Sequence, residues 1–177
     1  MPDREPTDTT NLDRYGDPAL PWSRARDVLE RDAAGPNVTW FLGTRRPDGT
    51  PHAAGIGALW DGGELYFTSS PNAAKARHLA VHPEATLSAR LDGLDVVFEG
   101  VAERVVDEAT LEAVVKRYQA SGWPAEVDHD AAAFTAPYSA PSAGPPPWQL
   151  YRLRYHAVFG VAWEPPNGAT RWRFDEG

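Results

Sequence analysis

The pattern of hydrophobic and polar positions changes period several times along the chain, and each change marks an element. Ala25, Val28 and Leu29 recur at helical spacing after Ser23, a good N-cap, and Gly35-Pro36 predicts the stop. Residues 38–46, VTWFLGTRR, alternate and are rich in β-branched and aromatic side chains, which predicts a strand. Pro47-Asp48-Gly49 supplies turn chemistry, and residues 51–60, PHAAGIGALW, predict the returning strand. Asp61-Gly62-Gly63 turns the chain again into ELYFTS at 64–69, so three strands form an antiparallel meander. Ser70-Pro71 predicts an N-cap and first residue for a short helix that runs through Ala73 to His82 and ends at Pro83.

Strands follow at 85–91 and 95–106 with Asp92-Gly93 between them, then a helix from Asp107 to about Ser121, closed by Gly122. Residues 148–163 and 169–174 resume the strand pattern. Residues 1–20 read as a flexible N-terminal arm, disordered or loosely docked, and residues 21–177 as one domain. Within it, residues 123–147 hold six prolines and read as a long irregular insert. Strands outnumber helices and hairpins dominate. The expected fold is therefore mainly β with α, an antiparallel barrel with a few helices packed outside.

Composition narrows the function classes. The chain has 177 residues and no Cys, which excludes disulfides, thiolate nucleophiles and zinc-thiolate or Cys-ligated iron–sulfur sites. A polar, acidic start carries no signal-peptide pattern, and no apolar run approaches the roughly 20 residues that span a bilayer, so a cytoplasmic protein without a membrane partner is expected. A net charge of −8 argues against nucleic acid as a partner. An anionic ligand would need a local cluster of donors.

Gly55-Ile56-Gly57 is no dinucleotide fingerprint, since it sits inside a hairpin strand rather than opening a helix. Two glycines there mark either a barrel corner or a place where a flat ligand touches the backbone. His78 and His82 lie four apart but lack a third ligand, so no metal site is expected. Asp128-His129-Asp130 reads as a solvated loop. Thr68, Ser69 and Ser70 end a strand just before a helix that carries Lys75, which offers hydroxyls, free N–H groups and a full charge to an anion such as phosphate. An ordinary capped helix with a surface lysine accounts for the same residues.

The order of these motifs, GTRRPDGTPHAAGIGALWDGGELYFTSSPNAAKARHLAVHPEATLSARL followed by VVFEGVAERV, resembles the pyridoxamine 5′-phosphate oxidase-like family of split β-barrels. The resemblance covers about residues 21–121 and returns in YHAVFGVAW and ATRWRF. It implies a homodimer with a phosphorylated flavin, FMN, or a deazaflavin at the subunit interface. On this resemblance Ala54, Gly55, Ile56 and Gly57 through Leu59 form the cofactor-facing strand, Phe67, Thr68 and Ser69 end the third strand, and Lys75 binds phosphate. True pyridoxamine phosphate oxidases carry Arg and Lys where this chain has Ala54 and Leu59, and Arg where it has Ala74. Deazaflavin-using relatives carry Arg and Asn where it has Ala73 and His78, and His78 could substitute as a phosphate donor. The expected activity is an FMN-dependent oxidoreductase transferring a hydride to or from a small organic substrate, with His52, Arg45 and Trp60 as substrate-side candidates. Two alternatives stand beside it, a deazaflavin-dependent reductase and a non-catalytic protein of the same fold that binds flavin or haem.

Overall fold

The computed structural model describes residues 4–35, 37–139 and 143–175. Pro36, half of the predicted helix stop, and residues 140–142 of the insert lie outside the described residues. The elements run β1 (Asp8–Asn11), α1 (Trp22–Asp32), β2 (Trp40–Arg45), β3 (Pro51–Ile56), β4 (Ala58–Asp61), β5 (Glu64–Ser69), α2 (Ala74–Val81), β6 (Glu84–Leu91), β7 (Leu94–Arg104), α3 (Glu108–Ala120), β8 (Glu126–Asp128), β9 (Ala133–Thr135), β10 (Gln149–Ala162) and β11 (Gly168–Arg173). Among the described residues no helix is long and apolar enough to cross a membrane.

One antiparallel sheet in the order β1-β11-β10-β7-β6-β2-β3 carries the fold, and β4 and β5 extend it from β10. Period-2 alternation decides its faces. Trp40 and Leu42 of β2, Leu87 of β6, Phe98 of β7 and Leu153 and Tyr155 of β10 point inward and form the main core with Leu65, Phe67 and Trp172. A second cluster packs Leu59, Tyr66 and Leu150 against Leu111, Val114 and Val115 of α3. This is the expected β-barrel with helices outside it.

Strand β10 is the longest and organises the barrel's split. Along one edge it pairs with β7 from Tyr151 to Ala162. Along the other it pairs with β5 over Gln149–Leu153 and with β11 over Ala157–Ala162. His156 is the extra residue of a bulge between these stretches, because Tyr155 faces Gly100 while Ala157 faces Glu99. Arg4 reaches into this gap, where its Nη1 donates to the Tyr155 carbonyl at 3.2 Å and its guanidinium lies 4.5 Å over the Tyr155 ring.

Several expectations need correction. The arm, read as disordered or loosely docked, is strand-paired: β1 adds to β11 in register, and Trp22 Nε1 donates to the Arg4 carbonyl at 3.0 Å. Its backbone groups found an open sheet edge, which composition could not reveal. The predicted strand 51–60 breaks at Gly57, so β3 pairs with β2 while β4 pairs with β5. The three-strand meander is thus two hairpins on opposite sides of the split. The insert is only partly irregular, because β8 and β9 pair and His129 Nδ1 meets Glu108 of α3 at 3.2 Å. Ser23 does not cap α1, which opens at Pro21 without a side-chain cap. Asp107, where α3 was expected to open, caps it, accepting from the Thr110 N–H at 2.9 Å.

Gly100 makes the bulge possible, since a Cβ there would overlap the Arg154 carbonyl and the Tyr155 Cα. At Gly55 a Cβ would meet nothing within 4 Å. Gly100→Ala is therefore expected to destabilise the protein by about 1–3 kcal/mol. Gly55→Ala should stay within about 0.5 kcal/mol of the parent. Urea denaturation of both variants measures the contrast, and equal midpoints would contradict the bulge argument.

Candidate functional site

Helix α2 packs against the end of β2 beside the edge strand β3, and the predicted residues gather there unevenly. The helix opens three residues later than expected. Its N-cap is Ala73, which supplies no side-chain acceptor, and Pro71 lies in the preceding turn. Ser70 shapes that turn instead: its carbonyl accepts from the Ala73 N–H at 3.0 Å and its Oγ from the Asn72 N–H at 3.4 Å. The earliest N–H into the helix ladder is that of Arg77, bonded to the Ala73 carbonyl at 3.2 Å. The first-turn N–H groups are thus left without side-chain partners at the positive end of the helix.

Lys75 sits in that first turn. It is half-buried and, among the described residues, makes no hydrogen bond or ion pair. Burial holds its ammonium below the ordinary lysine value. Arg77, which the sequence reading missed, folds back so that its Nη1 donates to the Asn72 carbonyl at 2.6 Å. A second cation therefore stands at the same turn. The described end of the insert also arrives here, with Gly144 packed so that a Cβ would lie 3.9 Å from the Ser70 side chain.

The three hydroxyls do not converge as expected. Strand alternation sends Thr68 to the face it shares with Tyr66 and Leu150, and Ser69 to the opposite face with Phe67. Ser69 is buried and donates to the Ser70 carbonyl at 3.2 Å. His78 also turns inward. It is buried, its Nδ1 lies 3.0 Å from Thr44 Oγ1, and its ring meets His52 edge-on at 5.1 Å. It serves the α2–β2 contact, and its Nδ1 is not free for a phosphate. Burial first, then the facing His52, Arg46 and Arg77, hold its imidazole below the ordinary histidine range.

Ala54, Gly55 and Ile56 lie along the outermost strand of the sheet, where among the described residues β3 has a neighbour on one side only, and Gly57 follows at its end. A Cβ at Gly55 or Gly57 would enter open space, and neither glycine has the positive φ of a turn. Gly57 nevertheless marks the point where the chain changes partners, so the corner reading holds there. Arg45 lines a groove of about 590 Å³ on the outer sheet face, floored by Gly43, Ala53 and Gly100 and joined by Glu99 and His156; His52 borders it, but its ring lies on the opposite face with its register partner Thr44, against His78. Arg45 is engaged, with Nη2 2.7 Å from His82 Nδ1 and 3.8 Å from Glu84 Oε2. The Nδ1 of His52 is buried and has no hydrogen-bond partner among the described residues. Trp60 is not on this surface. It is 7% exposed and stacks in the core 6.4 Å from Tyr155, so a substrate-side role is excluded by burial.

The pyridoxamine 5′-phosphate oxidase profile matches residues 21–161. The chain belongs to this family. No curated protein sequence matches it. Among solved structures, an FMN-binding pyridoxamine 5′-phosphate oxidase-related protein from Nostoc punctiforme superposes with a TM-score of 0.54 at 17% identity, covering 88% of this chain and 98% of the other. A NimC/NimA-family protein from Clostridium acetobutylicum gives 0.55 at 12% identity, covering 84% and 90%. A haem-binding protein from Mycobacterium smegmatis gives 0.52 at 21% identity, covering 77% of this chain and 53% of that one. At these identities the likeness establishes the split-barrel fold and nothing finer. The family implies a phosphorylated flavin-type group, and the residues at the start of α2 fit its phosphate: free N–H groups and an unpaired ammonium.

His78 carries a pH consequence. Its folded pKa is lowered, so the unfolded chain binds the proton more tightly. The related stability is full above about pH 6.5, the ordinary histidine value, and is lost as pH falls through it. Urea denaturation between pH 8 and 5 should show this loss in the parent and a flatter profile in His78→Asn. Matching profiles would remove the assignment.

Proposed function

We propose that this chain is an FMN-dependent oxidoreductase that works as a homodimer and moves a hydride to or from a small organic substrate. Lys75 carries the reading: a half-buried ammonium with no counter-charge among the described residues, at an uncapped helix start. Such a group is stabilised when an anion arrives, and the N–H groups around it add hydrogen bonds to the same phosphate. Arg77 adds charge at the rim. The edge strand from Ala54 to Gly57 presents unpaired main-chain groups and two positions without a Cβ, which suits a flat ring laid along the backbone. Bound there, FMN supplies the hydride chemistry, and the protein supplies binding, orientation and exclusion of water. His52, whose ring lies beside His78 between β3 and α2, is the substrate-side group this reading retains.

The outer sheet face supports the dimer. Phe41 is 48%, Val161 51% and Trp163 45% exposed, and Val97 and Phe159 are half-buried between them. Small residues at Gly43, Ala53 and Gly55 keep the same face flat. A contiguous apolar face of this kind usually marks an interface, and β3 lies at its rim.

The absorption spectrum of the purified protein, followed by titration with FMN and with a deazaflavin, tests the cofactor; a haem spectrum or affinity for the deazaflavin alone would overturn the FMN reading. Lys75→Ala should weaken FMN binding roughly ten- to a hundredfold, the value of a charge-assisted bond of about 1.5–3 kcal/mol. Unchanged affinity would remove the phosphate site. Gly55→Val and Gly57→Val enter open space in one subunit and should leave the fold intact by circular dichroism while abolishing binding. Normal binding in both folded variants would take the ring off this strand.

A further inference from the structure

Two charged groups on the outer sheet face are left without full partners. Inward-facing Phe98 places its neighbour Glu99 on the outer face, in register with Thr86 on β6 and Ala157 on β10. The Glu99 carboxylate is half-buried and, among the described residues, makes no hydrogen bond or ion pair. On β11, Arg171 faces outward opposite Phe159, because Val158 and Trp172 take the inward positions. Arg171 Nη2 donates to Thr10 Oγ1 at 3.1 Å, but its Nε is buried with no partner. No carboxylate among the described residues pairs with this guanidinium.

An unpaired anion and an under-used cation on one apolar face make that face complementary to itself. A twofold contact between identical surfaces brings each residue of such a pair to the other residue on the partner. Glu99 and Arg171 are separated by two strand steps and about two residues along the strands, roughly 12 Å. The point midway lies on β10 between Ala157 and Phe159. A twofold axis lying in the contact plane, through that point and at right angles to the line from Glu99 to Arg171, would set Phe159 near its own mate and carry each Glu99 to the partner subunit's Arg171. We propose that the second copy of this chain docks on this face through two symmetric Glu99–Arg171 ion pairs around Phe159. The pairing rests on the dimer proposed above and adds the face, the axis position and the charges that set its register. Charge complementarity of this kind fixes orientation, and a desolvated ion pair whose partner is removed is costly.

Sedimentation equilibrium of the FMN-loaded protein across micromolar concentrations is the test. Glu99→Arg and Arg171→Glu should each weaken dimerisation roughly a hundredfold or more, since each sets like charges together twice per dimer. The double swap, Glu99→Arg with Arg171→Glu, should return the dissociation constant to within about tenfold of the parent, as restored complementarity requires. Glu99→Gln and Arg171→Gln provide the same reading without charge reversal, each expected to weaken the dimer by roughly tenfold or more. A monomeric parent would sink the dimer itself. A dimeric parent whose single variants dimerise unchanged, or a double swap no better than the singles, would overturn the pairing while leaving the dimer standing. Should the reversals fail to fold, unchanged dimerisation in both glutamine variants overturns it equally.

Discussion

Strand β10 has to satisfy three neighbours at once, and the barrel takes its shape from that demand. One edge is committed to β7 along almost its whole length, while the other is divided between β5 and β11. No single strand can cover both stretches, because the sheet turns between them. The bulge at His156 makes the turn, and Gly100 opposite leaves room for the displaced backbone. Tyr155, pointing inward at the same place, ties the turn to the β4–β5 hairpin by donating to the Gly63 carbonyl at 2.8 Å. Arg4 then occupies the gap left in the edge. The docked arm, the split and the core around Phe98 and Tyr155 are consequences of one strand's hydrogen bonding.

The same geometry sets the candidate site. With β4 and β5 drawn to one side of the split, β3 is left as the far edge of the sheet and α2 crosses beside it against β2. His78 and Thr44 hold that crossing from inside, and this releases Lys75 to the other side of the first turn. In a protein of net charge −8, any attraction for an anion has to be local. Lys75 and Arg77 concentrate positive charge beside the uncapped N–H groups without altering the acidic surface elsewhere.

Half-burial recurs on the outer sheet face, where apolar and small side chains surround a carboxylate and a guanidinium. Neither charge is fully hydrated, and among the described residues Arg171 keeps only one hydrogen bond and Glu99 none. Such groups are costly in isolation and become favourable when a complementary surface arrives. The flat floor at Gly43 and Ala53 lets that surface come close. In the proposed dimer the rim strand β3 lies next to the second subunit, and the proposed ring site with it.

Local chemistry determined the elements. Alternation in VTWFLGTRR, the turns at Asp61-Gly62-Gly63 and Asp92-Gly93, and the Asp107 cap each act over a few residues, so β2, the β4–β5 and β6–β7 hairpins and α3 were legible from residues alone. Lys75 was legible too, because a lysine early in a helix after a strand end is a local arrangement. Partners and burial were not. Whether residues 51–60 make one strand or two depends on which distant strand each half meets, and that made Gly57 a corner. Trp60 pairs with Phe98 and Tyr155 across the core, contacts separated by dozens of residues that no local pattern encodes. His78 looked like a helix-surface donor until Thr44 and His52 closed over it. The arm looked disordered or loosely docked because its composition is polar, yet an edge strand needs only backbone hydrogen bonds, and only the folded sheet offers the β11 edge that receives it.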